Sequence, residues 1–196
     1  MSVYIKDKDT VFIHIPKTAG GSIIDAMRKV GDVRRIPTHR SRGNWHSPWI
    51  DCLKHNPNYA NSFKFSVVRN PWDRVASWFF FRQPFLKKDS KEYLLMQEDF
   101  NKWLDKYINQ PWEDTWFSLK YSQSFWLGDA EYDIIIRFEN LIEDLSKVDN
   151  LLSVASLGHK NKSSNNNNYR EIYNQQSINL VKKVYEEDIE RFKYSF

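Results

Sequence analysis

Residues 11–22, VFIHIPKTAGGS, restrict the possible folds more than any other stretch of the chain. Residues 11–15 are a short apolar run stopped by Pro16, and Gly20 and Gly21 follow. Residues 22–30 then carry Ile23, Ile24, Met27 and Val30 at the spacing of one helix face. The pattern is strand, glycine turn, helix. Glycines let a backbone come close to a ligand, and the amides opening a helix carry partial positive charge. Lys17 adds a full charge, while Thr18 and Ser22 add hydroxyl donors. Such a set predicts a nest for a phosphate or sulfate. It is not the nucleoside triphosphate loop, G-x-x-x-x-G-K-[ST], in which the lysine follows the glycines. Here the lysine precedes them. The competing reading is an ordinary strand-to-helix turn with a surface lysine.

The rest of the chain continues the alternation. Residues 32–36 read as a weak strand and 37–47 as a basic loop. Ser47 reads as a helix cap with Pro48 at the first helical position, and that helix runs to about residue 55. Residues 63–68 read as a strand, followed by a helix capped by Asn70 and running from Pro71 to residue 81. Residues 90–108 read as one amphipathic helix, and the aromatic-rich 113–127 as helical. A buried strand is expected at 134–138 and a helix over 139–152. The polar, low-complexity stretch 158–168 reads as a surface loop, and the last helix covers 175–192. There is no internal repeat and no linker, so residues 1–196 are expected to form one domain. Strands alternating with helices predict an α/β fold with a mainly parallel sheet. Ligands of such sheets sit beyond the carboxyl ends of the strands. Both the glycine turn and the Arg69-Asn70-Pro71 turn fall at such ends.

Composition narrows the partners. Hydrophobic residues at 41% are enough for a core, and most of the aromatics are expected to fill it. A net charge of +4 and a pI near 9.0 suit an anionic ligand but are too weak to indicate nucleic acid. The single cysteine, Cys52, excludes an internal disulfide and a cysteine metal cluster. With no HExxH motif either, no metal is expected. The charged first ten residues read as neither signal peptide nor anchor, and no window holds the roughly 18 apolar residues of a span. The expectation is a soluble, cytoplasmic protein, with a Golgi lumen only if the chain was trimmed from an anchored form. Oligomeric state is not indicated.

A second anion motif is FSVVRNPWDRVASWF, residues 65–79, with Arg69 at the strand end and Ser77 nearly two turns into the helix. The Arg69 fork suits a phosphate. Alternatively, Arg69 pairs with Asp73 or Glu139 and Ser77 merely packs. Taken together, FIHIPKTAGGSI resembles the 5′-phosphosulfate loop of sulfotransferases that use PAPS (3′-phosphoadenosine-5′-phosphosulfate). FSVVRNPWDRVASWF resembles their 3′-phosphate motif. The form is closest to the branch of Golgi carbohydrate sulfotransferases and their small bacterial and viral relatives. The resemblance continues through IIRFENLIEDL, HKNKSS, YREIY and EEDIERFKYSF, covering nearly the whole chain. It implies a three-layer fold like that of P-loop NTPases. It implies that Lys17, Thr18, Ala19, Gly20, Gly21 and Ser22 hold the 5′-phosphosulfate and that Arg69 and Ser77 hold the 3′-phosphate. Lys162, Ser163 and Arg170 resemble a late segment that contacts the donor. The asparagines at 165–168 depart from the usual spacing there.

Sulfuryl transfer needs a base for the acceptor hydroxyl, and a histidine near neutrality suits the task. Of His14, His39, His46, His55 and His159, the place of His39 resembles the family's histidine upstream of the phenylalanine-rich strand. His39 is therefore the expected base and His46 the second choice, with Glu113 or Asp114 as carboxylate alternatives. His14 is expected in the core and His55 at a helix end. The expected reaction is in-line displacement releasing PAP, with Lys17 neutralising charge on the bridging oxygen. The acceptor is expected to be a hydroxyl compound, in particular a glycan. Arg34, Arg35, Arg40 and Arg42 either greet an acidic acceptor or form a solvated basic loop. Trp112 and Trp116 either flank a sugar or pack. Two rival functions remain: a kinase-like phosphotransferase, and a non-catalytic module binding sulfated or phosphorylated glycans.

Overall fold

The computed structural model describes residues 1–37, 46–108, 121–153, 155, 157 and 168–196. They group into two compact units. The first holds the described residues of 1–69 and 123–157; the second holds those of 70–108, 121–122 and 168–196.

The first unit is built on a five-stranded sheet: β1 (Val3–Ile5), β2 (Thr10–Ile13), β3 (Val33–Arg35), β4 (Phe63–Val68) and β5 (Ile134–Arg137), in the order β3-β1-β2-β4-β5. β2, β4 and β5 pair in parallel, whereas β1 is antiparallel to both its neighbours. The expected α/β class with a mainly parallel sheet holds. β2 is buried at all four positions and β4 at its last four. Continuous burial is what a parallel strand covered on both faces requires. Phe12 and Phe65 stack at 4.8 Å in the core, joined by Ile23, Ile24 and Met27 of α1 (Gly20–Met27).

β1 was not expected. Its three residues run straight into the charged Lys6-Asp7-Lys8 and give too short an apolar signal. Asp9, at φ 42°, turns the chain back from β1 into β2. Register is pinned by polar side chains: Ser66 Oγ donates to Ile13 O at 2.7 Å, and Asp133 accepts from Lys64 N at 2.7 Å. Parallel pairing then puts the carboxyl ends of β2, β4 and β5 at one edge. Residues 14–22, Arg69 and Phe138 follow those three ends directly.

Several helices differ from expectation. α2 (Trp49–His55) starts one residue later, with Pro48 at the cap position, because Ser47 Oγ donates to Ile36 O at 2.8 Å. α3 (Pro71–Arg82) is capped by Asn70 as expected, its side chain accepting from Trp72 N. The single helix expected over 90–108 is two, α4 (Lys91–Glu98) and α5 (Phe100–Tyr107). Asp99 breaks them apart by accepting from Asn101 N at 2.6 Å and Lys102 N at 3.1 Å. Of the aromatic segment 113–127, the described part forms α6 (Gln123–Leu127), and 113–120 lies outside the described residues. The expected helix over 139–152 is a short α7 (Leu141–Leu145) between 3-10 turns, interrupted at Val148. The last helix divides at buried Tyr185 into α8 (Gln175–Val184) and α9 (Glu186–Phe192). Among the described residues, no helix is long and apolar enough to cross a membrane. The polar loop 158–167 lies outside them.

Candidate active site

The loop leaving β2 is built on two left-handed non-glycine residues, Lys17 at φ 71° and Ala19 at φ 63°. Each such conformation costs on the order of 1 kcal/mol, so surrounding contacts must hold it. One of them is Thr18, fully buried, whose Oγ1 donates to Ile15 O at 2.9 Å. That hydroxyl proton is committed to bracing the loop. α1 opens directly after Ala19, whose methyl offers the first amides no acceptor. The two glycines serve different ends. A Cβ at Gly20 would stand 1.9 Å from His14 Cδ2, so the imidazole fills the floor of the loop. A Cβ at Gly21 would meet nothing within 4 Å, so the loop is open on that side.

Arg69 extends from the end of β4. Its backbone is held twice by the carboxamide of fully buried Gln123: Arg69 N donates to Gln123 Oε1 at 2.8 Å, and Gln123 Nε2 donates to Arg69 O at 2.8 Å. Its guanidinium donates to Lys17 O at 3.0 Å and lies 4.0 Å from the centroid of the Phe138 ring. A carbonyl and an aromatic face, neither suggested by the sequence, help to define its position. Burial pushes the Lys17 ammonium down to about 7, and the nearby Arg69 charge adds to the shift. Two cations brought together where water is scarce make a field that favours an anion.

His14 lies just past β2, and burial, then the Met1 amine and His46, hold its pKa well below the usual range. His46 is 5% exposed, its Nδ1 3.0 Å from His14 O and its ring 4.4 Å from that of His14. Burial holds its pKa well below the usual range as well. The Met1 amine lies within 2.9 Å of the Nδ1 atoms of both rings. His55 ends α2, exposed, its ring 6.2 Å from that of Tyr59. The preferred base, His39, lies outside the described residues, as do Arg40, Arg42, Trp112, Glu113, Asp114, Trp116, His159, Lys162 and Ser163. Of the basic cluster, exposed Arg34 is paired with Asp32 at 2.7 Å, and Arg35 is exposed on β3. In the second unit, Ser77 is 8% exposed in α3, and Arg170 lies over the Tyr169 ring at 4.6 Å.

Sequence reasoning missed Gln123, Phe138 and the packing of His14 on Gly20. Phe138 could have been found, since it follows β5 as Arg69 follows β4. Gln123 carries no signal, being one of several polar residues in an aromatic-rich stretch. Among the described residues, no group of three or more His, Cys, Asp or Glu could hold a metal. Asp133 lies just before β5, at the edge opposite Lys17, and accepts from Lys64 N.

A family model described as the sulfotransferase family matches residues 2–195. No curated protein matches the chain.

Proposed function

The chain belongs to the sulfotransferase family, and from that premise we propose that it moves a sulfuryl group from PAPS to a carbohydrate hydroxyl, with Lys17 and Arg69 holding the two ends of the donor. The observation that carries this reading is the meeting of these two cations at the carboxyl ends of adjacent parallel strands. The residues present fit such a donor. Its two anionic ends call for two positive groups, and the open side of Gly21 leaves room for a non-protein atom at the start of α1.

PAPS supplies the sulfuryl group and, as PAP, takes away the bridging oxygen. The backbone from Thr18 to Ser22 binds the 5′-phosphosulfate. Lys17 neutralises the charge that grows on the bridging oxygen as the sulfur–oxygen bond breaks. Its proton is secured by the anion itself, which raises a pKa that burial had lowered to about 7. Arg69 turns its planar fork to the 3′-phosphate. Ala19, Ser77, Lys162, Ser163 and Arg170 are assigned to the donor by the family resemblance. His39 takes the hydroxyl proton as the new oxygen–sulfur bond forms. Catalysis is positioning plus electrostatic stabilisation, so removing Lys17 should cost about 10²–10³ in turnover.

Thermal stability with PAP, with ADP, and with ADP plus magnesium tests the donor site on wild type and Arg69→Ala. PAP at a hundredfold excess over its Kd should add about 2.7 kcal/mol without metal. Arg69→Ala should lose most of that gain. Stabilisation by ADP with magnesium and none by PAP would favour a kinase-like enzyme. PAP binding with no transfer to any glycan would favour a binding module. A His39→Ala variant that binds PAP but transfers nothing supports that base.

A further inference from the structure

We propose that Gln123 is a positioning residue for donor selectivity: its buried carboxamide fixes the Arg69 peptide so that the guanidinium is ready for a 3′-phosphate. This rests on the assignment of Arg69 to that phosphate. β4 pairs with β2 as far as Ser66 and with β5 as far as Val68. Arg69 is the first residue past the ladder, so strand pairing no longer fixes its backbone. Gln123 takes over with one acceptor and one donor, both at 2.8 Å. A carboxamide carries both on one end at the spacing of a peptide. Gln123 is fully buried, so water does not replace these bonds readily.

The root of the Arg69 side chain is thus held by Gln123, and its tip by Lys17 O and the Phe138 face. An arginine fixed at root and tip pays little ordering entropy when it meets a phosphate. The Lys17 carbonyl also ties its placement to the loop that carries the lysine. Loosening the root should therefore weaken recognition of the 3′-phosphate in particular, not of the nucleotide as a whole.

The test is calorimetric affinity for PAP and for 5′-AMP, which lacks the 3′-phosphate, using the full chain. Gln123→Met keeps the volume and removes both bonds. It should lose roughly tenfold of the preference for PAP over 5′-AMP, with 5′-AMP affinity little changed. Gln123→Glu supplies a second readout and decides the matter if Gln123→Met does not fold. Protonated, the acid can still donate to Arg69 O; ionised, it cannot. Its PAP preference, taken relative to wild type at each pH, should approach wild type in acid and fall as pH rises. Equal weakening of both ligands, or no change, in a folded variant would overturn the proposal. A wild type that does not prefer PAP over 5′-AMP would instead overturn the assignment of Arg69.

Discussion

An alanine at Gly21 adds a methyl that meets no protein atom within 4 Å, whereas at Gly20 the same methyl lands 1.9 Å from His14 Cδ2. The pair therefore separates packing from binding. Gly20→Ala should cost about 1–3 kcal/mol of stability by overpacking, and adding His14→Ala should recover part of it, as a denaturation double-mutant cycle would record. Gly21→Ala should leave stability within about 0.5 kcal/mol but weaken PAP binding. Lys17 adds a pH signature. Its folded pKa of about 7 lies below the ordinary 10.5, so the unfolded chain binds more protons between those values. Its contribution to stability therefore rises with pH across that window, and the penalty of burying the charge is full below it. A bound anion raises the pKa again. PAP binding at pH 8 should take up most of one proton, an uptake lost by pH 6, as calorimetry in buffers of different ionisation enthalpy would detect. No uptake at pH 8 would mean that Lys17 does not face the anion. The sequence announced Lys17, the glycines and Arg69 because charge and backbone freedom can be read from residue type. It could not announce Gln123 or that His14 packs against Gly20, because both depend on which segments the fold brings together.

At the scale of elements, strong local signals placed the central strands well. Residues 63–68 read as β4 because six residues of mostly apolar chain end at an Arg-Asn-Pro turn. The helical stretches were placed but not divided. Between α4 and α5 the amphipathic spacing runs on through Asp99, and periodicity alone does not see that a short acidic side chain can satisfy two backbone amides and start a new helix. β1 escaped for the opposite reason, since three residues have no period to show. The Asp99 cap is testable. Asp99→Ala should destabilise the fold by about 1 kcal/mol. The amides of Lys102 and Asn101 hold this carboxyl below its ordinary 3.8, the Lys102 amide contributing most. The stabilisation is therefore present above 3.8 and is lost as pH falls through the lower folded value. Denaturant unfolding of wild type and variant should differ at pH 6 and converge in acid.

For the whole molecule, the informative place is the peptide between Arg69 and Asn70, where the first unit passes into the second. No linker separates them, for β4 ends at Val68 and α3 begins at Pro71. Each side of that peptide is fixed within its own unit. Arg69 is held by Gln123; the Asn70 side chain caps α3 and donates to Ser195 O at 2.7 Å. With no linker between the two, we propose that residues 1–196 unfold as one domain. Differential scanning calorimetry should then give a single transition whose van't Hoff and calorimetric enthalpies agree, near about 140 kcal/mol at 60 °C for a chain of this length. PAP should move that transition upward as a whole. Two transitions, with PAP raising only one, would mean that the units fold independently and would confine the donor site to the unit that responds.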